Sequence, residues 1–182
     1  MNGYTDGTFG YADSMTRAQF ATVIVRMFGW ETKAAASSSF SDVSAQSYYL
    51  PYIEAAAAHD VCDTGGSFRP NAAITRAEMA EMLVRALGLK SAAALVKSTW
   101  EKQPSSGSFS LPFTDVSGSS ASYIYVAYSI GMTKGTTSTT FSPNASATRA
   151  QAAAMLVRIY EKMTASTDWS HAFYPISSYS QI

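Results

Sequence analysis

One tetrapeptide pattern occurs three times in this chain, as Thr16-Arg17-Ala18-Gln19, Thr75-Arg76-Ala77-Glu78 and Thr148-Arg149-Ala150-Gln151. Each copy opens an amphipathic run that ends at Arg26, Arg85 or Arg158. A phenylalanine stands seven residues before each threonine, at Phe9, Phe68 and Phe141. Two further segments, Phe40-Ser41-Asp42-Val43 and Phe113-Thr114-Asp115-Val116, begin 35 residues before the second and third threonines. Self-similarity over tens of residues dictates a repeat architecture, because one such unit cannot bury its own apolar face. Arg17 and Arg76 are 59 residues apart and Arg76 and Arg149 are 73 apart. The 14 extra residues fall between Leu89 and Phe113, where Gln103 to Ser108 reads as a loop.

Each threonine is followed three positions later by Gln19, Glu78 or Gln151. That is the capping-box pattern, in which hydroxyl and amide or carboxylate satisfy the first backbone N–H groups of a helix. Thr16, Thr75 and Thr148 are therefore read as helix caps. Downstream, Phe20, Val23, Ile24, Met27 and Phe28 recur as Met79, Met82, Leu83, Ala86 and Leu87, then as Ala152, Met155, Leu156, Ile159 and Tyr160. This spacing places one apolar stripe on each helix, and Gly29 and Gly88 end the first two. Tyr48 to Asp60 and Ala121 to Met132 are read as shorter helices, although Tyr123 to Val126 also suits a strand. Lys90 to Trp100 adds another. The fold expected is all-α, with tandem helix-loop-helix repeats around a pseudo-threefold axis. Its divisions are a partial first repeat over 1–33, a second over 34–90, an insertion over 91–108, a third over 109–163, and a linker over 164–182 that leads towards a further domain.

Thirteen basic and thirteen acidic side chains cancel, leaving no long-range field to gather a nucleic acid or an anionic membrane. No run of 18 apolar residues exists to enter a bilayer. One cysteine, Cys62, and two distant histidines, His59 and His171, offer neither an internal disulfide nor metal-ligand spacing. No metal, cofactor or catalytic residue is expected. Glu31, Glu54, Glu81, Glu101 and Glu161 read as solvated charges rather than the paired carboxylates of a glycosidase.

Arg17, Arg76 and Arg149 stand at the first helical position, where the macrodipole disfavours a cation. Beside free N–H groups at a helix start, a guanidinium suits a carboxylate or phosphate. The other reading makes each arginine an internal staple to Asp42 or Asp115. The second arginine of each unit lies about 180° around the helix at roughly 100° per residue, so the two cannot serve one contact.

Phe-x-Asp-Val, a helix, Asp6-Gly7-Thr8-Phe9, Pro70-Asn71 and Pro143-Asn144, and Ile74-Thr75-Arg76-Ala77-Glu78 together resemble the S-layer homology domain over residues 1 to 163. The resemblance implies a three-pronged helical spindle on the bacterial cell surface. It implies non-catalytic binding of secondary cell wall polysaccharide, typically a pyruvylated amino sugar held in grooves between repeats. It maps the family's groove residues onto Arg17, Arg76, Arg149, Asp42 and Asp115. A pyruvyl ketal carries the carboxylate that such an arginine would accept.

Several departures bear on individual grooves. Counting back from each phenylalanine sets Cys62 against Gly3 and Gly135, and Tyr11-Ala12 replaces Pro-Asn in the first repeat. The first repeat also lacks its Phe-x-Asp-Val half, which predicts exposure of Phe20, Ile24 and Phe28 and self-association through them. Two alternative functions stay open, a repeat that mediates protein assembly and the anchor portion of a larger glycoside hydrolase. The segment His171 to Gln181 resembles the opening strand of chitinase-like hydrolase domains.

Overall fold

The computed structural model describes residues 1, 3–102 and 110–165. The loop read at Gln103 to Ser108 and the strand read at His171 to Gln181 lie outside the described residues. Six helices are present among them: α1 (Arg17–Met27), α2 (Leu50–Ala58), α3 (Arg76–Ala86), α4 (Lys90–Lys102), α5 (Ala121–Ser129) and α6 (Arg149–Ala165). The segment from Tyr123 to Val126 is helical, because Ile124, Val126 and Ala127 are all needed in the core. The fold is all-α.

The three capping-box helices α1, α3 and α6 meet in a closed ring just before their starts. Met15 N–H donates to the Ala147 carbonyl at 3.1 Å, Ala147 N–H to the Ile74 carbonyl at 2.8 Å, and Ile74 N–H to the Met15 carbonyl at 2.9 Å. Met15, Ile74 and Ala147 are fully buried. In such a position each peptide group needs a partner, and a triangle supplies all three from equivalent residues. This ring is the pseudo-threefold axis.

Helix α2 packs on α1 and α5 on α3. Leu50, Ile53 and Ala56 of α2 and Ile124 and Ala127 of α5 turn inward and are buried. The inserted helix α4 lies against α5 and buries Ala93 and Val96. The expected exposure of Phe20 and Ile24 does not occur, since both are fully buried and Phe28 is half-buried. The reason is connectivity: the short helix covering α1 comes from the following repeat, not from its own.

That connectivity also resolves the alignment around Cys62. Helices α2 and α5 end in the same motif, with a left-handed residue, Asp60 (φ 57°) or Gly131 (φ 70°), followed by Val61 N–H to Ala56 C=O or Met132 N–H to Ala127 C=O. From this anchor Cys62 corresponds to Thr133 and Asp63 to Lys134. The match of Cys62 to Gly135 fails because the loop from Gly131 to Phe141 is two residues longer than that from Asp60 to Phe68.

Candidate ligand grooves between repeats

Each capping box forms as read. The Thr16, Thr75 and Thr148 hydroxyls accept from the N–H of Gln19, Glu78 and Gln151 at 3.2, 3.2 and 3.3 Å. Gln19, Glu78 and Gln151 return the bond to the threonine N–H at 3.0, 2.9 and 3.3 Å. The next N–H groups are consumed by the neighbouring repeat. Arg17, Arg76 and Arg149 N–H donate to the carbonyls of Ala72, Ala145 and Asp13, while Ala18, Ala77 and Ala150 N–H donate to Pro70, Pro143 and Tyr11. No N–H group at these helix starts remains for an anion. Sequence reading assumed free ones, but the turn of the adjacent repeat fills the place.

The leading arginines reach across to the same turn. The Nε–H groups of Arg17, Arg76 and Arg149 donate to the carbonyls of Phe68, Phe141 and Phe9 at 2.8, 2.7 and 2.8 Å. Each guanidinium lies over that phenylalanine ring, 5.1, 4.6 and 4.8 Å from its centroid. Such cation–π contacts gain when desolvated, and burial is the leading cause that lowers the pKa of Arg17 and Arg76.

Asp42 and Asp115 act on the far side of the same residues. Asp42 accepts from Phe68 and Arg69 N–H, both at 2.7 Å, and Asp115 from Phe141 and Ser142 N–H at 2.8 and 2.7 Å. Arg69 and Ser142 hold φ near +60°, a left-handed conformation that costs a non-glycine residue about 1 kcal/mol. The paired carboxylate bonds hold that turn. The Phe141 N–H bond leads the effects that keep the Asp115 carboxyl below its usual range. Arginine and aspartate therefore meet through the peptide of one phenylalanine rather than as a direct staple.

Two equivalent grooves open beside these arginines. The first, about 300 Å³, is lined by Arg17, the loop after α2, and α3. Its charged lining is three arginines, Arg17, Arg69 and Arg85, against three carboxylates, Asp63, Glu78 and Glu81. These pair internally. Glu78 meets Arg17 at 3.3 Å and also contacts Arg69, and Arg85 meets Asp63, Asp60 and Glu81 at 2.7, 3.0 and 3.4 Å. Burial pushes the Glu78 carboxyl up, but Thr75 N–H, Arg17 and Arg69 outweigh it and leave its pKa lowered. Burial raises the Cys62 thiol to about 11.

The second groove, about 470 Å³, is lined by Arg76, the loop after α5, and α6. Helix positions carry over from the first, so Glu78 becomes Gln151, Glu81 becomes Ala154, Met82 becomes Met155 and Arg85 becomes Arg158, while Asp63 becomes Lys134. All three acids are gone from the lining, and Arg76, Lys134 and Arg158 remain. Arg76 spends Nε on Phe141 and one Nη2 hydrogen on the Lys134 carbonyl at 3.1 Å. A guanidinium offers five N–H donors, and these two contacts hold the Arg76 head against the loop after α5. Arg149 lies over both Phe9 and Tyr4 at the third equivalent position.

Arg76 carries a motif, whereas Lys134 and Arg158 line the same groove without one. The two arginines of one helix face apart, and the groove instead joins the first arginine of one repeat to the second of the next. No cluster of three or more metal-ligating side chains occurs, and no helix is long and apolar enough to cross a membrane, among the described residues.

A family model for the S-layer homology domain matches residues 1–21, 39–80 and 112–153. The chain is 33% identical over 103 residues to the Middle cell wall protein of Brevibacillus brevis, which covers 54% of this chain and 10% of that protein. It is 31% identical over 166 residues to Exoglucanase XynX of Acetivibrio thermocellus, covering 89% of this chain and 14% of that protein. It is 35% identical over 91 residues to the Surface layer protein of Brevibacillus choshinensis, covering 47% and 8%. The chain thus spans a small part of the length of each relative.

Proposed function

The chain belongs to the S-layer homology domain family, and from that premise we propose that it is a non-catalytic module that anchors a protein to the bacterial cell wall. Its ligand is secondary cell wall polysaccharide, recognised through the carboxylate of a pyruvylated amino sugar, and its location is the cell surface. One observation carries the reading: the second groove has three cations and no carboxylate in its lining. An anionic sugar would receive charge-assisted bonds from Arg76, with Lys134 and Arg158 closing around it. Arg17 and Arg149 hold the equivalent places in the other two positions, and Asp42 and Asp115 shape the turns on which the arginines rest. Loss of one such carboxylate contact is expected to cost about 1.5–3 kcal/mol, or roughly 10–100-fold in affinity.

Co-sedimentation with protein-free cell walls, before and after their secondary polysaccharide is stripped, tests this. Retention is expected on untreated walls alone. A folded chain that stays in the supernatant with both would refute the anchor. Retention unaffected by Lys134→Asp combined with Gln151→Glu would refute the groove assignment while leaving the anchor standing.

A further inference from the structure

Helices α1 and α3 stop just before Gly29 and Gly88, which stand three residues after Arg26 and Arg85. Glu161 holds that place after Arg158, and α6 continues as a helix to Ala165. The added turn carries Lys162, four residues on from Arg158 and so on the same face, about 6 Å further along the axis. Its counterparts in the first two repeats are Trp30 and Leu89, so this cation is peculiar to α6. Lys162 is exposed and leans on the end of α5: its Cε and Nζ would lie 3.4 and 3.5 Å from a Cβ placed on Gly131. In the first groove the residue matching Gly131 is Asp60, whose carboxylate holds Arg85 at 3.0 Å and Lys90 at 2.9 Å. Glycine supplies no such carboxylate to Lys162. Glu161 lies three residues from Arg158 and one from Lys162, yet no ion pair joins it to either among the described residues.

We infer that the second groove continues outward to a subsite formed by Lys162, and that its ligand is a polymer with anionic groups on consecutive sugar units rather than a single charged sugar. This rests on the reading of the groove as a polysaccharide site. Arg76, Lys134 and Arg158 line the inner part, and Lys162 extends the row of cations past Gly131. The two ends suit different contacts. Arg76 is held by the Phe141 and Lys134 carbonyls and presents a fixed planar fork, whereas Lys162 is a mobile point charge that accepts a carboxylate or a phosphate ester. One helical turn between Arg158 and Lys162 spaces their charges on the scale of one sugar unit. A ligand with one carboxylate occupies the inner cations and leaves Lys162 in water.

Calorimetric titration with two probes tests this: the methyl glycoside of a pyruvylated N-acetylhexosamine, which carries one carboxylate, and size-fractionated polysaccharide released from the walls. Lys162→Gln should weaken binding of the polymer about 3–5-fold at low salt and leave the single-sugar probe unchanged. Salt at about 0.5 M should erase the difference, because exposed charges are screened. Lys97→Gln, which removes an equal charge from the exposed side of α4, should change neither affinity. Weakening of both probes by Lys162→Gln, weakening of neither, or a loss that Lys97→Gln matches would overturn the inference and leave the groove assignment standing. Failure of the native chain to bind either probe would refute the groove itself.

Discussion

The two grooves share a backbone plan and differ in charge. Both have a leading arginine stacked on a phenylalanine and a second arginine from the next repeat, but the first sets Asp63, Glu78 and Glu81 among its arginines where the second has Lys134, Gln151 and Ala154. In the first groove the arginines already hold carboxylates, so an incoming anion must compete with them, and displacing the partly buried Glu78 would leave its charge without a partner. In the second the carboxylate would come from outside. Loss of the three carboxylates, together with Arg69 and a loop two residues longer, thus separates an internally paired groove from one lined by cations alone, and the leading Thr-Arg-Ala signature is identical in both.

The largest expected effect comes from converting the second groove into the first. Lys134→Asp with Gln151→Glu supplies Arg76 and Arg158 with internal partners, and wall retention should fall by roughly 100-fold while the melt stays near that of the native chain. Arg158→Gln alone should weaken retention by about 10-fold, measured by binding isotherms on purified walls. If Arg158→Gln has no effect, the groove depends on Arg76 and Lys134 alone and the pairing of successive repeats loses its meaning.

The reverse conversion sharpens the contrast. Glu78→Gln with Asp63→Lys should give the first groove a measurable affinity for a pyruvylated saccharide, at a cost of about 1 kcal/mol of stability from lost ion pairs. Acid should reach the two grooves differently. The Glu78 pKa is lowered in the folded state, so its stabilising contribution is complete above the ordinary carboxylate range and disappears as pH falls through its depressed value. The urea midpoint of the native chain should therefore drop between about pH 5 and pH 3, and Glu78→Gln should flatten part of that drop. Smallest of all, Cys62, whose thiol is held at about 11 by burial, should stay unalkylated at neutral pH in the folded chain and react on unfolding.

Much of the fold was legible in advance because its signals are local. The capping boxes at Thr16, Thr75 and Thr148 act over three residues, and the apolar periods act over two turns. The candidate groove was legible only in part. Arg76 announces itself by motif, whereas Arg158 comes to line the same groove only when the repeats close around their shared axis, and Lys134 is assigned opposite Asp63 only once the left-handed residues Asp60 and Gly131 fix the register of loops of unequal length.

By itself the sequence determined that this chain is a three-part helical repeat with capped helix starts, since periodicity and capping rest on neighbours along the chain. Tertiary structure decided what those starts can do. It gave the first N–H groups of each helix to an adjacent turn, buried Phe20 and Ile24 under a helix from the following repeat, and left Val157 and Tyr160 uncovered. It also gathered cations from successive repeats into one groove, because charge acts through space and only packing brings residues 82 positions apart, Arg76 and Arg158, into one cavity.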